Sequence, residues 1–99
     1  MTKKITLQVN GTPISLDYFV QSFVDHTVRG MIESLENTET VKRLNLTVEG
    51  DNVDIQLNGK SVSANRFVSR IMKSTISGMV APLKGVNGPL VSAKIEMEE

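Results

Sequence analysis

The chain is one unit written twice. Sliding residues 5–49 by 48 positions onto residues 53–98 gives ten identities over residues 5–35. They are Gln8/Gln56, Asn10/Asn58, Gly11/Gly59, Ser15/Ser63, Phe19/Phe67, Val20/Val68, Thr27/Thr75, Gly30/Gly78, Met31/Met79 and Leu35/Leu83. At a background of roughly 6% per position, about two would arise by chance. Leu7/Ile55, Ile14/Val62, Asp17/Asn65, Val28/Ile76 and Ile32/Val80 are conservative exchanges. With one extra residue in the second copy, Leu44, Leu46 and Val48 align with Ala93, Ile95 and Met97. Whatever the first unit forms, the second must be able to form as well.

Each unit opens with apolar residues at alternate positions, Ile5, Leu7, Val9 and Val53, Ile55, Leu57, the period of a half-buried strand. Asn10-Gly11 and Asn58-Gly59 follow, fitting a two-residue type I′ turn whose central residues both need positive φ. The chain should double back over Thr12 to Ser15 and Lys60 to Ser63. Pro13 cannot donate to a ladder and marks the first of these arms as a sheet edge.

Ser15 and Ser63 are the expected N-caps of a helix in each unit, with Ile14/Phe19 and Val62/Phe67 as hydrophobic staples and Asp17 in the first turn. At roughly 100° per residue, Phe19, Phe23, Thr27, Met31, Val20, Val24, Leu35 and Val28 cover about half of the first helix. Phe67, Ile71, Thr75, Met79, Val68, Met72, Leu83 and Ile76 do the same in the second. The first helix should end near Asn37, the second at Pro82, with a loop from Gly85 to Pro89. Arg43–Glu49 and Leu90–Glu98 read as closing strands. The short link Gly50-Asp51-Asn52 makes strands 43–49 and 53–57 a hairpin.

The expected fold is therefore α+β: residues 1–99 as a single domain of two tandem β(β)αβ repeats, 5–49 and 53–98. A pseudo-two-fold symmetric, ferredoxin-like two-layer sandwich with both helices on one face of an antiparallel sheet is the favoured assembly. An intertwined pseudo-dimer, pairing the units differently, is the alternative.

Composition narrows the function classes. Eleven basic residues balance eleven acidic ones, so no net charge draws the chain to nucleic acid or anionic membrane. Without cysteine there is no disulfide framework, thiolate metal site or thiol nucleophile. The opening Met-Thr-Lys-Lys-Ile does not resemble a secretory leader, and no apolar run approaches the ~20 residues of a membrane helix. Cytoplasm is the expected location.

The repeat also sorts candidate residues. Those present in both copies should serve architecture; those present in one are where function diverges. His26, the sole histidine, aligns with Ser74 and has only Ser22 and Asp25 near it along the helix, which favours a boundary residue over a general base. Asp51 and Asp54 lack the ligand count of a calcium loop. Glu33, Glu36 and Glu39 read as a solvated helix end. The Asn-Gly turns are too short to cradle phosphate, and neither a Walker loop nor a dinucleotide fingerprint is present. No catalytic residue, metal ligand or cofactor is expected.

Gly30-Met31 and Gly78-Met79 carry more information. A glycine inside a helix costs up to ~1 kcal/mol relative to alanine, and both units accept it at the same place. Close packing where the helices cross is the favoured explanation; a groove for a ligand or second chain is the other. Charge diverges between the helices, with Asp25, Glu33 and Glu36 against Arg29 on the first, and Arg66, Arg70 and Lys73, then Lys84, on the second. Solvated faces explain such runs most simply, and complementary faces for self-association or an anionic partner are the sharper reading. The strands contain no aromatic residue on which an RNA base could stack.

The pattern Val9-Asn10-Gly11, Ile14, Phe19-Val20, Gly30-Met31, Ser34-Leu35 returns as Leu57-Asn58-Gly59, Val62, Phe67-Val68, Gly78-Met79, Leu83-Lys84-Gly85. It resembles, once per repeat, a small uncharacterised domain found beside molybdenum-cofactor (molybdopterin-guanine dinucleotide) biosynthesis proteins of anaerobic bacteria. That resemblance implies an accessory domain occurring as a tandem. It carries over no catalytic residue, because the pattern consists of structural residues.

The favoured function is a non-enzymatic protein-binding or assembly module working through helix faces or sheet edges, as a homo-oligomer such as a homodimer or with another protein. The alternative is anion or nucleic-acid binding through Arg66, Arg70 and Lys73. A small-molecule sensor with its ligand where the halves meet comes third.

Overall fold

The computed structural model describes residues 4–35 and 39–99. In chain order the elements are β1 (Lys4–Val9), β2 (Thr12–Pro13), α1 (Tyr18–Glu33), β3 (Arg43–Glu49), β4 (Asn52–Leu57), β5 (Lys60–Val62), α2 (Arg66–Val80) and β6 (Ser92–Glu98). The strands form one antiparallel sheet in the order β2-β1-β6-β3-β4-β5. The expected end of the first helix at Asn37 lies outside the described residues; α1 stops at Glu33 with Ser34 as its C-cap.

Both Asn-Gly pairs turn the chain as expected. Asn10 and Asn58 have φ of 51° and 53°, and the following glycines 80° and 85°, a region open to Asn and Gly at low steric cost. The returning arms β2 and β5 form the two edges of the sheet, and Pro13 sits on one of them without breaking a ladder.

Alternation along the strands gives the sheet one buried and one open face. Ile5, Leu7 and Val9 of β1 pair with Met97, Ile95 and Ala93 of β6, which in turn pair with Leu44, Leu46 and Val48 of β3. All of these side chains are buried, together with Ile55 and Leu57 of β4. Against them pack Val24, Val28 and Ile32 of α1 and Met72, Ile76 and Val80 of α2. The opposite face is polar, from Thr6 and Gln8 across Lys94, Glu96, Asn45 and Thr47 to Asp54 and Gln56.

The strand order corrects the ferredoxin-like expectation. A ferredoxin-like sheet places the first strand of each unit, here β1 and β4, at its centre. This sheet places the last strands, β3 and β6, there. The physical reason lies in the Asn-Gly arms. A strand has two hydrogen-bonding edges, and β2 already occupies one edge of β1, as β5 does of β4. Each first strand can therefore accept only one further neighbour. β3 and β6 carry no arm and keep both edges for other strands.

Two local expectations change as well. The N-caps are Asp17 and Asn65, not Ser15 and Ser63: the side-chain oxygen of each accepts the backbone N–H three residues on, Val20 and Val68, both at 2.8 Å. With the caps two residues later, Phe19 and Phe67 cannot close a staple, and they are 69% and 68% exposed. The stripe that faces the core is also rotated from the expected one, whose Val24/Val28 and Met72/Ile76 side meets the sheet and whose Phe19/Phe23 and Phe67/Ile71 side does not.

Candidate functional site

The most unusual surface is the outer face of the helix layer. At roughly 100° per residue, Phe19, Phe23 and Gly30 lie nearly opposite Val24, Val28 and Ile32, so they point away from the sheet. Phe67, Ile71 and Gly78 occupy the same places on α2. Phe23 is 49% and Ile71 47% exposed, and Phe19 and Phe23 touch through tilted rings 5.9 Å apart. Single exposed apolar residues are ordinary on a protein surface. A pair at matching positions on both helices, each followed by glycine on the same azimuth, is not a scatter.

The glycines answer one question directly. A Cβ added at Gly30 or Gly78 would meet no atom within 4 Å, and both residues are exposed. Tight crossing of the two helices is therefore not what requires glycine, which overturns the favoured explanation for this pair. Met31 and Met79 are half-buried beside the core, one step round the helix from the open strip.

The charged residues are rearranged by folding. Asp25, expected on the outer face, is buried at 7% exposure. Its Oδ1 accepts from Arg29 Nη2 at 3.2 Å, while Arg29 Nη1 donates to the Val41 carbonyl and pairs with Glu99 at 3.3 Å. Through Arg29, α1 is tied to the segment entering β3 and to the residue that follows β6. Glu33 is exposed, and Glu36 lies outside the described residues. On α2, Lys73 is engaged by Asp51 at 2.9 Å, and this contact, with the nearby positive charge, holds the Asp51 carboxyl below its ordinary value. The expected basic triad therefore reduces to Arg66 and Arg70, both exposed. They border an open cleft with Asp51, Asn52, Ala64 and Ser69, where the Asp51 carboxylate opposes an incoming anion.

The conserved-within-the-chain asparagines do more than turn the chain. Asn10 Oδ1 accepts from the backbone N–H of Val91 and Ser92 at 2.8 and 3.0 Å, and its Nδ2 donates to the Pro89 carbonyl. Asn58 Oδ1 accepts from Lys42 and Arg43 at 3.0 and 2.9 Å, and its Nδ2 donates to the Thr40 carbonyl at 2.9 Å and to Glu39 Oε2. The Asn10 turn thus latches the entry to β6, and the Asn58 turn the entry to β3. The Asn58 amide and then the Lys60 ammonium hold the Glu39 carboxyl below its ordinary value.

His26 is exposed, and its Nδ1–H donates to the Ser22 carbonyl at 2.8 Å. Among the described residues, no three His, Asp or Glu gather as a cation site, no buried side-chain polar atom lacks a partner, and no helix is long and apolar enough to cross a membrane. Sequence reasoning missed the outward rows and the asparagine latches. The rows were legible in one signal: the apolar band spans about half of each helix's circumference, wider than one sheet contact can cover. The latches left none, since a side chain's long-range partner is set only by the folded sheet. No protein-family model, no curated protein and no solved structure matches the chain.

Proposed function

We propose that this chain is a non-enzymatic protein-binding module, acting through the outer face of its helix layer. The carrying observation is the paired apolar rows, Phe19 with Phe23 and Phe67 with Ile71, each directed away from the sheet. Aromatic side chains presented from rigid helices suit the centre of a protein interface, because they bury much area for little conformational entropy. In this reading the two units are pseudo-two-fold related. The equal element order, the mirrored strand order and the reciprocal Asn10 and Asn58 latches support that relation. The resemblance to the small domain beside molybdenum-cofactor proteins points the same way, to an accessory module without chemistry of its own.

Replacing Phe19 and Phe67 by serine tests the reading. Both side chains are largely exposed, so the thermal midpoint should stay within a few degrees while binding to the partner is lost. A variant that keeps every interaction of the wild-type chain overturns it. Anion binding through Arg66 and Arg70 is the weaker reading, with Lys73 engaged by Asp51. A gel shift insensitive to Arg70→Glu removes it.

A further inference from the structure

We infer that the occupant of this helix face is a second copy of the chain, with α1 of one protomer lying antiparallel on α2 of the other; the inference rests on the protein-binding reading above. Three features select this pairing over any other. The first is shape. Gly30 and Gly78 leave open space on the outer strip of each helix, although glycine there weakens the helix. The apolar side chains sit at the opposite end of each helix from its own glycine. In an antiparallel pair with Gly30 facing Arg70, Phe23 falls beside Gly78, and Phe67 and Ile71 flank Gly30. Each bulky end then meets the other helix's glycine, where two backbones can approach closely.

The second feature is charge. In that same register Glu33, exposed at the end of α1, lies level with Phe67, between Arg66 and Arg70 of the facing helix. Sides of equal azimuth meet in an antiparallel pair, and Glu33 and Arg70 both project on the same side of their apolar rows. Pairing α2 with α2 would oppose Arg66 and Arg70 to their like. Pairing α1 with α1 would offer Glu33 only Arg29, which Asp25 and Glu99 already engage at 3.2 and 3.3 Å.

The third is closure. β1, β6, β3 and β4 run antiparallel in turn, so the two units' strands, and the helices that return from them, run in opposite directions. A two-fold axis along the helices therefore sets α1 on α2 and α2 on α1 simultaneously. The contact closes as a dimer and does not propagate. Helices of 16 and 15 residues, each ~1.5 Å per residue long and ~10 Å wide, give a projected footprint of roughly 500 Å². That is at the small end for a stable interface, so the dissociation constant should be micromolar.

Sedimentation equilibrium from about 1 μM to about 1 mM measures it. The wild-type chain should pass from monomer to dimer and associate more weakly at about 0.5 M than at about 0.02 M salt. Glu33→Arg should weaken association roughly tenfold through two like-charge contacts, and adding Arg70→Glu should restore it to within about threefold. Gly30→Ala should raise the urea midpoint of the monomer yet weaken the dimer, a divergence that a folding defect cannot produce. A strict monomer at about 1 mM overturns the second-copy inference. If that monomer still binds another protein in a Phe19- and Phe67-dependent way, the broader reading stands; if it binds none, both fall. A dimer indifferent to Glu33→Arg and to Gly30→Ala overturns the helix pairing.

Discussion

Asn58→Gly separates a turn from a latch. Asn58 has φ 53°, which glycine adopts freely, so the hairpin itself survives the change. What goes is the side chain: two acceptor contacts to Lys42 and Arg43 and the donor contacts to Thr40 and Glu39. Such bonds contribute about 0.5–1.5 kcal/mol each. At this half-buried position the low end applies, giving about 1.5–2 kcal/mol. Added freedom of the unfolded chain contributes roughly 0.5 kcal/mol more. The total, about 2 kcal/mol, is a sizeable share of what a domain of this length has. Asn58→Ala should cost a further ~1 kcal/mol, because it also forces a Cβ into the left-handed region. Urea unfolding followed by far-UV circular dichroism suits a chain with no tryptophan and one tyrosine. Asn10→Gly should behave alike at the other end of the sheet, and the double variant should be additive. If Asn58→Gly unfolds within about 0.5 kcal/mol of the wild-type chain, the latch has no energetic role and the asparagine serves only the turn.

Asp17→Ala and Asn65→Ala should each lose about 1 kcal/mol in urea titrations, whereas Ser15→Ala and Ser63→Ala should change little; the reverse order would restore the serine caps. Ile95→Ala, at a site with no exposure in the central strand β6, should cost about 3–4 kcal/mol by the same measurement, against almost nothing for monomeric Phe19→Ser. Glu39 and Asp51 titrate below their ordinary values of 4.5 and 3.8 in the folded chain. The unfolded chain therefore takes up their protons first, and their stabilising contribution, full above those values, is lost as pH falls through the lower folded ones. Urea midpoints measured down the acid limb should fall less steeply in Lys73→Ala, where Asp51 no longer has its partner.

Much of the fold was legible because it depends on local rules. The alternation of Leu44, Leu46 and Val48 marks Arg43–Glu49 as a strand to the residue. The helix caps were displaced by two residues because Ser15, Asp17, Ser63 and Asn65 are all competent caps, and only the path of the chain off the β2 and β5 arms decides among them. The core face was misplaced for a separate reason: an apolar band covering half a helix does not say which part will meet the sheet.

By itself, then, the repeated sequence determined the element order, the positive-φ turns, the edge arms and the polarity of the two sheet faces, all of which follow from contacts within a few residues. Only the tertiary structure decided that β3 and β6 take the centre, that Asp25 turns inward to Arg29, that Asn10 and Asn58 reach across to the entries of β6 and β3, and that Phe19, Phe23, Phe67 and Ile71 face outward. Each of these is a competition for a shared resource, whether a strand edge, a desolvated charge partner or the area of one sheet face. Such a competition is resolved only when every element is present at once.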